Sequence, residues 1–163
     1  MRVRLVASEQ DQKYLSQALA LARQSVQQGG GPFAAIIVKD DRIIGQGSNQ
    51  VTLSNDPTAH AEVSAIREAC RHIENFDLGG SVIYASCEPC PMCYAAIHWS
   101  RIERIVYAAS TQDAASAGFD DQMIADEICR PYDQRSISVE QIECEHRLDS
   151  FELWNRKTDR IDY

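Results

Sequence analysis

The sequence predicts a layered α/β domain with a sheet at its centre. Short apolar runs of strand length alternate with segments of helical periodicity, and glycine pairs and Asp-rich turn signals separate them. No internal repeat, low-complexity tract or linker interrupts the 163 residues, so one domain spanning 1–163 is expected.

The elements follow in order. Ser8 opens a Ser-x-x-Asp cap with Asp11, and apolar residues recur at Leu15, Ala18, Leu19, Ala22 and Val26 until Gly29-Gly-Gly31 ends the helix. Phe33 to Val38 is a continuous apolar run, a buried strand. Asp40-Asp41 turns it into a second strand, Arg42 to Gly47. A polar loop, Ser48 to Asn55, precedes Asp56-Pro57, which reads as an N-cap with proline at the first helical position. That helix runs to about Ile73, with Val63, Ile66 and Ala69/Cys70 at helical spacing. Beyond Gly79-Gly80, Ser81 to Ser86 is a third strand. Pro91 starts a helix to about Trp99, and Glu103 to Ala109 is a fourth strand. Asp121 to Ile128 reads as helical, Ser136 to Ile142 alternates as a fifth strand, and Ser150 to Asn155 closes as a short helix.

Composition narrows the function. The formal net charge is −8 and no block of basic residues occurs, so a nucleic-acid partner is disfavoured and a small molecule favoured. No apolar run approaches membrane-spanning length, and the stretch from Met1 to Val6 is too short for a secretory segment, so a cytoplasmic location is expected. Of the six cysteines, three crowd into Cys87-Glu-Pro-Cys90-Pro-Met-Cys93, which in a reducing compartment suits metal ligation better than crosslinks.

The chemistry lies in His60-Ala-Glu62 followed by Pro89-Cys90-Pro-Met-Cys93. The H-x-E…P-C-x-x-C pattern is the signature of zinc deaminases. A catalytic zinc takes three protein ligands and keeps one position for water; His60, Cys90 and Cys93 supply the three. Cys90 and Cys93, three apart at a helix start, can face one point, and the helix end favours their thiolate form. Glu62 is left as the proton carrier between water, a ring nitrogen and the departing amine. It stands two residues from His60, a spacing that shares no helix face. A structural zinc remains the alternative; it would need a fourth ligand, for which Cys87, Cys70, His72 and His98 are available.

Gly30-Gly-Pro-Phe33, Ser54 to Glu62, Ser86 to Cys93, Asp113 to Asp121 and a chain ending in Tyr163 together resemble the bacterial guanine deaminases of the cytidine-deaminase superfamily. The resemblance implies a three-layer α/β/α fold with a mixed five-stranded sheet and one catalytic Zn2+ per subunit. It also implies a homodimer in which the C-terminal segment, about 145–163, is exchanged so that Tyr163 completes the neighbour's site. The reaction implied is hydrolytic deamination of guanine to xanthine and ammonia, with zinc-activated water attacking C2 and Glu62 shuttling the proton. Guanosine, cytosine or a triazine remain alternative substrates. By position, Asn49 would hydrogen-bond the base, Phe33, Ala61 and Trp99 would line the pocket, and Asp113 and Tyr163 would engage the amine side. Asp113 would also assist proton transfer. Gly29-Gly-Gly31 and Tyr94-Ala-Ala depart mildly from the commoner pattern, with consequences for pocket shape. Each position also has a plain structural use: Asn49 in a turn, Phe33 and Trp99 in the core, Asp113 as a loop or cap residue, and Tyr163 as a frayed end.

Overall fold

The computed structural model describes residues 8–163; the N-terminal stretch weighed above as a secretory segment lies outside them. Helix α1, Glu9–Gln27, starts with a reciprocal cap, in which Asp11 N–H donates to Ser8 Oγ at 3.0 Å and Ser8 N–H donates to the Asp11 carboxylate. It buries Tyr14, Ala18, Ala22 and Ser25 along one stripe and ends at Gly29, whose φ of +87° suits only glycine without strain.

Strands β1 (Ala34–Lys39) and β2 (Arg42–Ser48) form the expected hairpin. Asp40 and Asp41 both adopt positive φ, matching the twist of a tight two-residue turn. With β3 (Val82–Cys87) and β4 (Arg104–Ala109) the sheet order is β2-β1-β3-β4. β1 is antiparallel to both neighbours, whereas β3 and β4 are parallel, so the sheet is mixed.

Alternation along β1 and β3 divides the core. Ala35, Ile37, Ile83 and Ala85 pack with Ala61, Ala65, Ala69 and Ile97 on one face, and Ile36, Val38 and Tyr84 pack with Tyr14 and Ala18 on the other. Helix α1 thus covers one face. The other is covered by α3 (Ala61–Ile73) and α4 (Pro91–Trp99), α2 being a single turn at Val51–Ser54. Helix α3 approaches β2 very closely: a Cβ on Gly47 would lie 2.5 Å from the carbonyl oxygen of Ala61, and one on Gly45 would lie 2.5 Å from that of Ala65. The glycines bring the start of α3 hard against the sheet.

Three expectations need correction. Helix α3 begins at Ala61, not at Pro57, because the Asp56 carboxylate accepts from both N–H and O–H of Thr58 and closes a turn over 56–59. A helix not expected, α5 (Thr111–Ser116), follows β4. Finally, among the described residues the sheet has four strands, not five. Ser136–Ile142 has the alternation of a strand but no partner ladder. The Ser136 N–H is spent on the Glu127 carboxylate at 2.7 Å, and Ile137 and Ile142 are both 76% exposed.

The described backbone falls into two compact units, one up to Met123 and the other Ile124–Tyr163. Helix α6 (Gln122–Cys129) runs across the boundary. Within the second unit a short 3-10 turn at Tyr132–Gln134 precedes α7 (Asp149–Arg156), and Arg135 donates to the carbonyls of Ile128 and Arg130 while stacking over Tyr132.

Candidate active site

The site is built where α3 and α4 begin. His60 is the N-cap of α3 and Cys90 the N-cap of α4, both with extended backbone, while Cys93 sits in the first turn of α4. Proline at the first helical position of α4 pre-sets that geometry. His60 Nδ1 lies 3.5 Å from Cys90 Sγ and 3.5 Å from Cys93 Sγ, and all three atoms lie within 4.8 Å of one another. Bonds of about 2.3 Å to sulfur and about 2.1 Å to nitrogen in a tetrahedron separate nitrogen from sulfur by about 3.6 Å. Both nitrogen–sulfur spacings therefore fit a tetrahedral zinc.

The electrostatics point the same way. Cys90 is held far below the usual thiol range, at about 4, chiefly by a hydrogen bond from Cys93, with His60 adding to it. Cys93 is pushed the other way by that contact, by burial and by the charges of Glu62 and Cys90. His60 is raised by its contact with Cys90. Two sulfurs aimed at one point, that of Cys93 buried, do not both become thiolates without a cation between them; a dication meets that need.

Glu62, in the first turn of α3, is 8% exposed, and its Oε2 accepts from Cys93 Sγ at 3.4 Å. Burial raises its carboxyl above the ordinary range. The two-residue spacing from His60 is no obstacle, because His60 precedes the helix and the rule for shared helix faces does not apply to a cap residue. Cys87, a candidate fourth ligand, stands apart: burial pushes its thiol up to about 11 and it donates to the Ser110 carbonyl. Among the described residues the metal group contains His60, Cys90 and Cys93 alone, the open arrangement of a catalytic ion.

Around this centre the structure gathers some expected residues and not others. Asn49 is buried, its N–H donating to the Phe33 carbonyl, and the next residue, Gln50, donates to the carbonyl of Ala59 beside His60. Phe33 packs against the core and meets Phe119 edge-on at 4.9 Å. The Ala61 side chain is buried in the core, so only its backbone at the helix start can serve a ligand. Trp99 lies at the far end of α4, 67% exposed and about 13 Å of helical rise from Cys90. Asp113 is occupied as the cap partner of Ser110, donating and accepting across the start of α5. Tyr163 meets Trp154 edge-on within the second unit.

The sequence reading passed over Asp121. It lies close enough for its charge to be felt at His60 and Cys90, and burial and the Cys90 thiolate raise its own carboxyl. The signal was present: Ser110-x-x-Asp113 repeats the capping spacing of Ser8-x-x-Asp11, which accounts for Asp113 and leaves the carboxylates after Phe119 to be explained.

An α/β domain carrying one open His/Cys/Cys centre and a buried glutamate defines a zinc-dependent deaminase. Residues 8–109 match the zinc-binding region of cytidine and deoxycytidylate deaminases, and the chain belongs to that family. It is 48% identical to the guanine deaminase of Bacillus subtilis (strain 168) over 151 residues, covering 92% of this chain and 97% of that protein. The crystal structure of guanine deaminase from Bacillus subtilis superposes with a TM-score of 0.91 at 47% identity, covering 93% of this chain and 98% of the other. A tRNA-specific adenosine deaminase of Haemophilus influenzae is 36% identical over 163 residues, covering 96% and 91% of the two chains.

Proposed function

We propose that this chain hydrolyses guanine to xanthine and ammonia. The observation that carries the reading is the buried Glu62 carboxyl set beside the His60, Cys90 and Cys93 donor group. The similarity to a guanine deaminase over almost the whole length supports the choice of base.

Zinc held by His60, Cys90 and Cys93 supplies a Lewis acid that brings the pKa of a water near neutrality. Glu62 would take a proton from the attacking water as its oxygen adds to C2 of guanine, and pass it to a ring nitrogen. The same carboxylate would then take the second proton from the added hydroxyl and deliver it to the amine, so that the C2–N bond breaks, ammonia leaves and the water oxygen remains as the new 2-oxo group. A carboxyl raised by burial suits this double duty, since it takes up a proton more readily than an exposed carboxylate does. Asn49 and the backbone of Ala61 hold the base, with Phe33 as an apolar wall. Asp113 also caps Ser110 at the start of α5, and Asp121 brings a second carboxylate charge close to His60 and Cys90.

The same reading takes the protein as a cytoplasmic homodimer in which residues from about 145 onward complete the neighbour's site. Phe151, Leu153, Ile161 and Tyr163 are exposed within a single chain, the condition expected of a segment that finds its cover on a second copy. Mixing a Glu62→Gln chain with one truncated before Asp162 tests this. An exchanged tail restores turnover in the mixed dimer, and a tail acting in its own subunit leaves the mixture inactive.

The deciding experiment is ammonia release by zinc-quantified protein with guanine, guanosine, cytosine, adenine and transfer RNA in parallel. Turnover of guanine with about one zinc per chain is expected; turnover of the RNA and not of guanine overturns the assignment.

A further inference from the structure

The parallel strands β3 and β4 end side by side, and each leads directly into a segment of the site. β3 continues through Glu88 and Pro89 to Cys90, the N-cap of α4. β4 continues through Ser110 into α5, and Phe119 and Asp121 follow. Three hydrogen bonds tie these two exits together. Glu88 N–H donates to the Ala109 carbonyl at 2.9 Å, one rung beyond the Cys87–Ala109 pair. Cys87 Sγ donates to the Ser110 carbonyl at 3.6 Å, and Thr111 N–H donates to Glu88 Oε2 at 3.3 Å.

The third bond differs in kind. Thr111 is the first helical residue of α5, and its N–H is a donor that no carbonyl within the helix can take. The Ser110–Asp113 cap satisfies the same helix end from inside, through Asp113 N–H and Ser110 Oγ. Glu88 instead joins the helix's first turn to the loop that carries Cys90. At its other end α5 fastens the chain that follows it: Gly118 N–H donates to the Ala115 carbonyl at 2.9 Å, and Phe119 N–H to that of Ala114 at 3.0 Å. Residues 111–119 thus form one hydrogen-bonded piece, and Asp121 comes two residues later. Burial, the Cys90 thiolate and the carboxylates of Asp120 and Glu88 raise the Asp121 carboxyl, so Asp121 stands within electrostatic reach of both Cys90 and Glu88.

Resting on the guanine-deaminase reading, we propose that Glu88 is a positioning residue. Its carboxylate fixes the first turn of α5 to the Cys90 loop, and this sets where the 118–121 segment stands against the reacting groups. Glu88 itself supplies neither a metal donor nor a proton to the reaction. Its loss therefore slows turnover while zinc stays bound, since a misplacement of about 1 Å caused away from the reacting atoms can cost about a hundredfold in rate.

The test compares zinc-loaded wild type, Glu88→Ala, Glu88→Gln, Thr111→Pro and the Glu88→Ala/Thr111→Pro double variant. It measures zinc content, kcat and KM for guanine, and hydrogen exchange over residues 112–121. Glutamine keeps an oxygen that can accept from Thr111. Proline deletes the N–H at the first helical position, where it is favoured, and Ser110 already has the extended backbone (ψ 167°) that suits a residue before proline. Glu88→Ala and Thr111→Pro are each expected to lower kcat about tenfold or more, with KM within about threefold and about one zinc per chain, and to speed exchange over 112–121. Thr111→Pro reads the same bond should Glu88→Ala fold poorly. The double variant falls less than about twofold below the slower single one, because both remove one interaction. Glu88→Gln keeps kcat within about threefold of wild type. Glu88→Gln as slow as Glu88→Ala, wild-type kcat in Thr111→Pro, additive losses, or zinc lost in step with turnover overturns the inference and leaves the guanine assignment standing. Wild type that turns over no guanine overturns that assignment. The anchoring is then decided by exchange, and rates over 112–121 unchanged in Glu88→Ala and Thr111→Pro reject it.

Discussion

Cys93 Sγ donates to Glu62 Oε2 at 3.4 Å, joining the first turn of α4 to the first turn of α3. The contact places the proton-bearing carboxyl beside the metal donors without making it one of them. Glu62→Gln keeps the shape and removes the titratable proton. Zinc content is expected to stay at the wild-type level while kcat falls by about two to four orders of magnitude. Metal analysis beside ammonia-release kinetics separates the two readouts, and unchanged kcat with zinc retained rules out Glu62 as the proton carrier.

Metal uptake depends on pH through the same residues. Cys90 is already a thiolate near neutrality, whereas Cys93 and His60 hold their protons more tightly than usual. Zinc binds only the deprotonated donors, so affinity falls as pH falls, and each ion displaces at least about one proton. Calorimetry in buffers of different ionisation enthalpy measures that release. Cys93→Ser is expected to abolish stoichiometric zinc, and a chelator to abolish turnover until zinc is restored.

Asp11 and Arg104 form a two-pronged pair at 2.8 and 2.9 Å, and Tyr84 O–H donates to the same carboxylate at 2.9 Å. The Arg104 bonds hold the Asp11 carboxyl far below the ordinary carboxylate range. A depressed carboxyl stabilises the fold above its unfolded-state pKa, near 4, and that stability drains away as pH falls towards the folded value. The unfolding midpoint should therefore drop below about pH 4, with Asp11→Asn flattening the dependence and costing about 2–3 kcal/mol at neutral pH. A variant with the wild-type acid profile would sink this account.

Gly45 and Gly47 separate stability from positioning. Alanine at either position meets the backbone of α3 and should cost about 1–3 kcal/mol in thermal unfolding. Only Gly47 touches the carbonyl of Ala61, next to His60, so only Gly47→Ala should also weaken zinc binding. Equal zinc affinity in the two variants contradicts that division.

Asp113 and Asp121 are told apart in the same manner. Asp113→Asn removes a charged partner from the Ser110 cap and is expected to leave turnover nearly intact. Asp121→Asn changes the field at His60 and Cys90 and is expected to lower kcat. The opposite ranking in steady-state kinetics would return the catalytic role to Asp113.

Local order was legible in the residues. The Ser8 cap, the Asp40-Asp41 turn, Pro91 at the head of α4 and the continuous apolar run of β1 are near-neighbour effects, and each appears where the sequence indicates. The donor set was legible too, because His60, Cys90 and Cys93 are residue types that few other tasks require at that spacing. Tertiary structure decided whatever depends on a partner distant in sequence. Ser136–Ile142 has a strand's alternation, but its first N–H goes to the Glu127 carboxylate and no sheet edge takes up the rest. Asp113 and Asp121 are chemically identical, and only the path of the chain makes one a cap and brings the other's charge to bear on the metal donors. Asn49 could present either end of its amide until the Val51 N–H, which can only donate, fixed which. A pattern along the chain specifies what a residue can do. Which of those things it does depends on the hydrogen-bond partners and the space that folding leaves beside it.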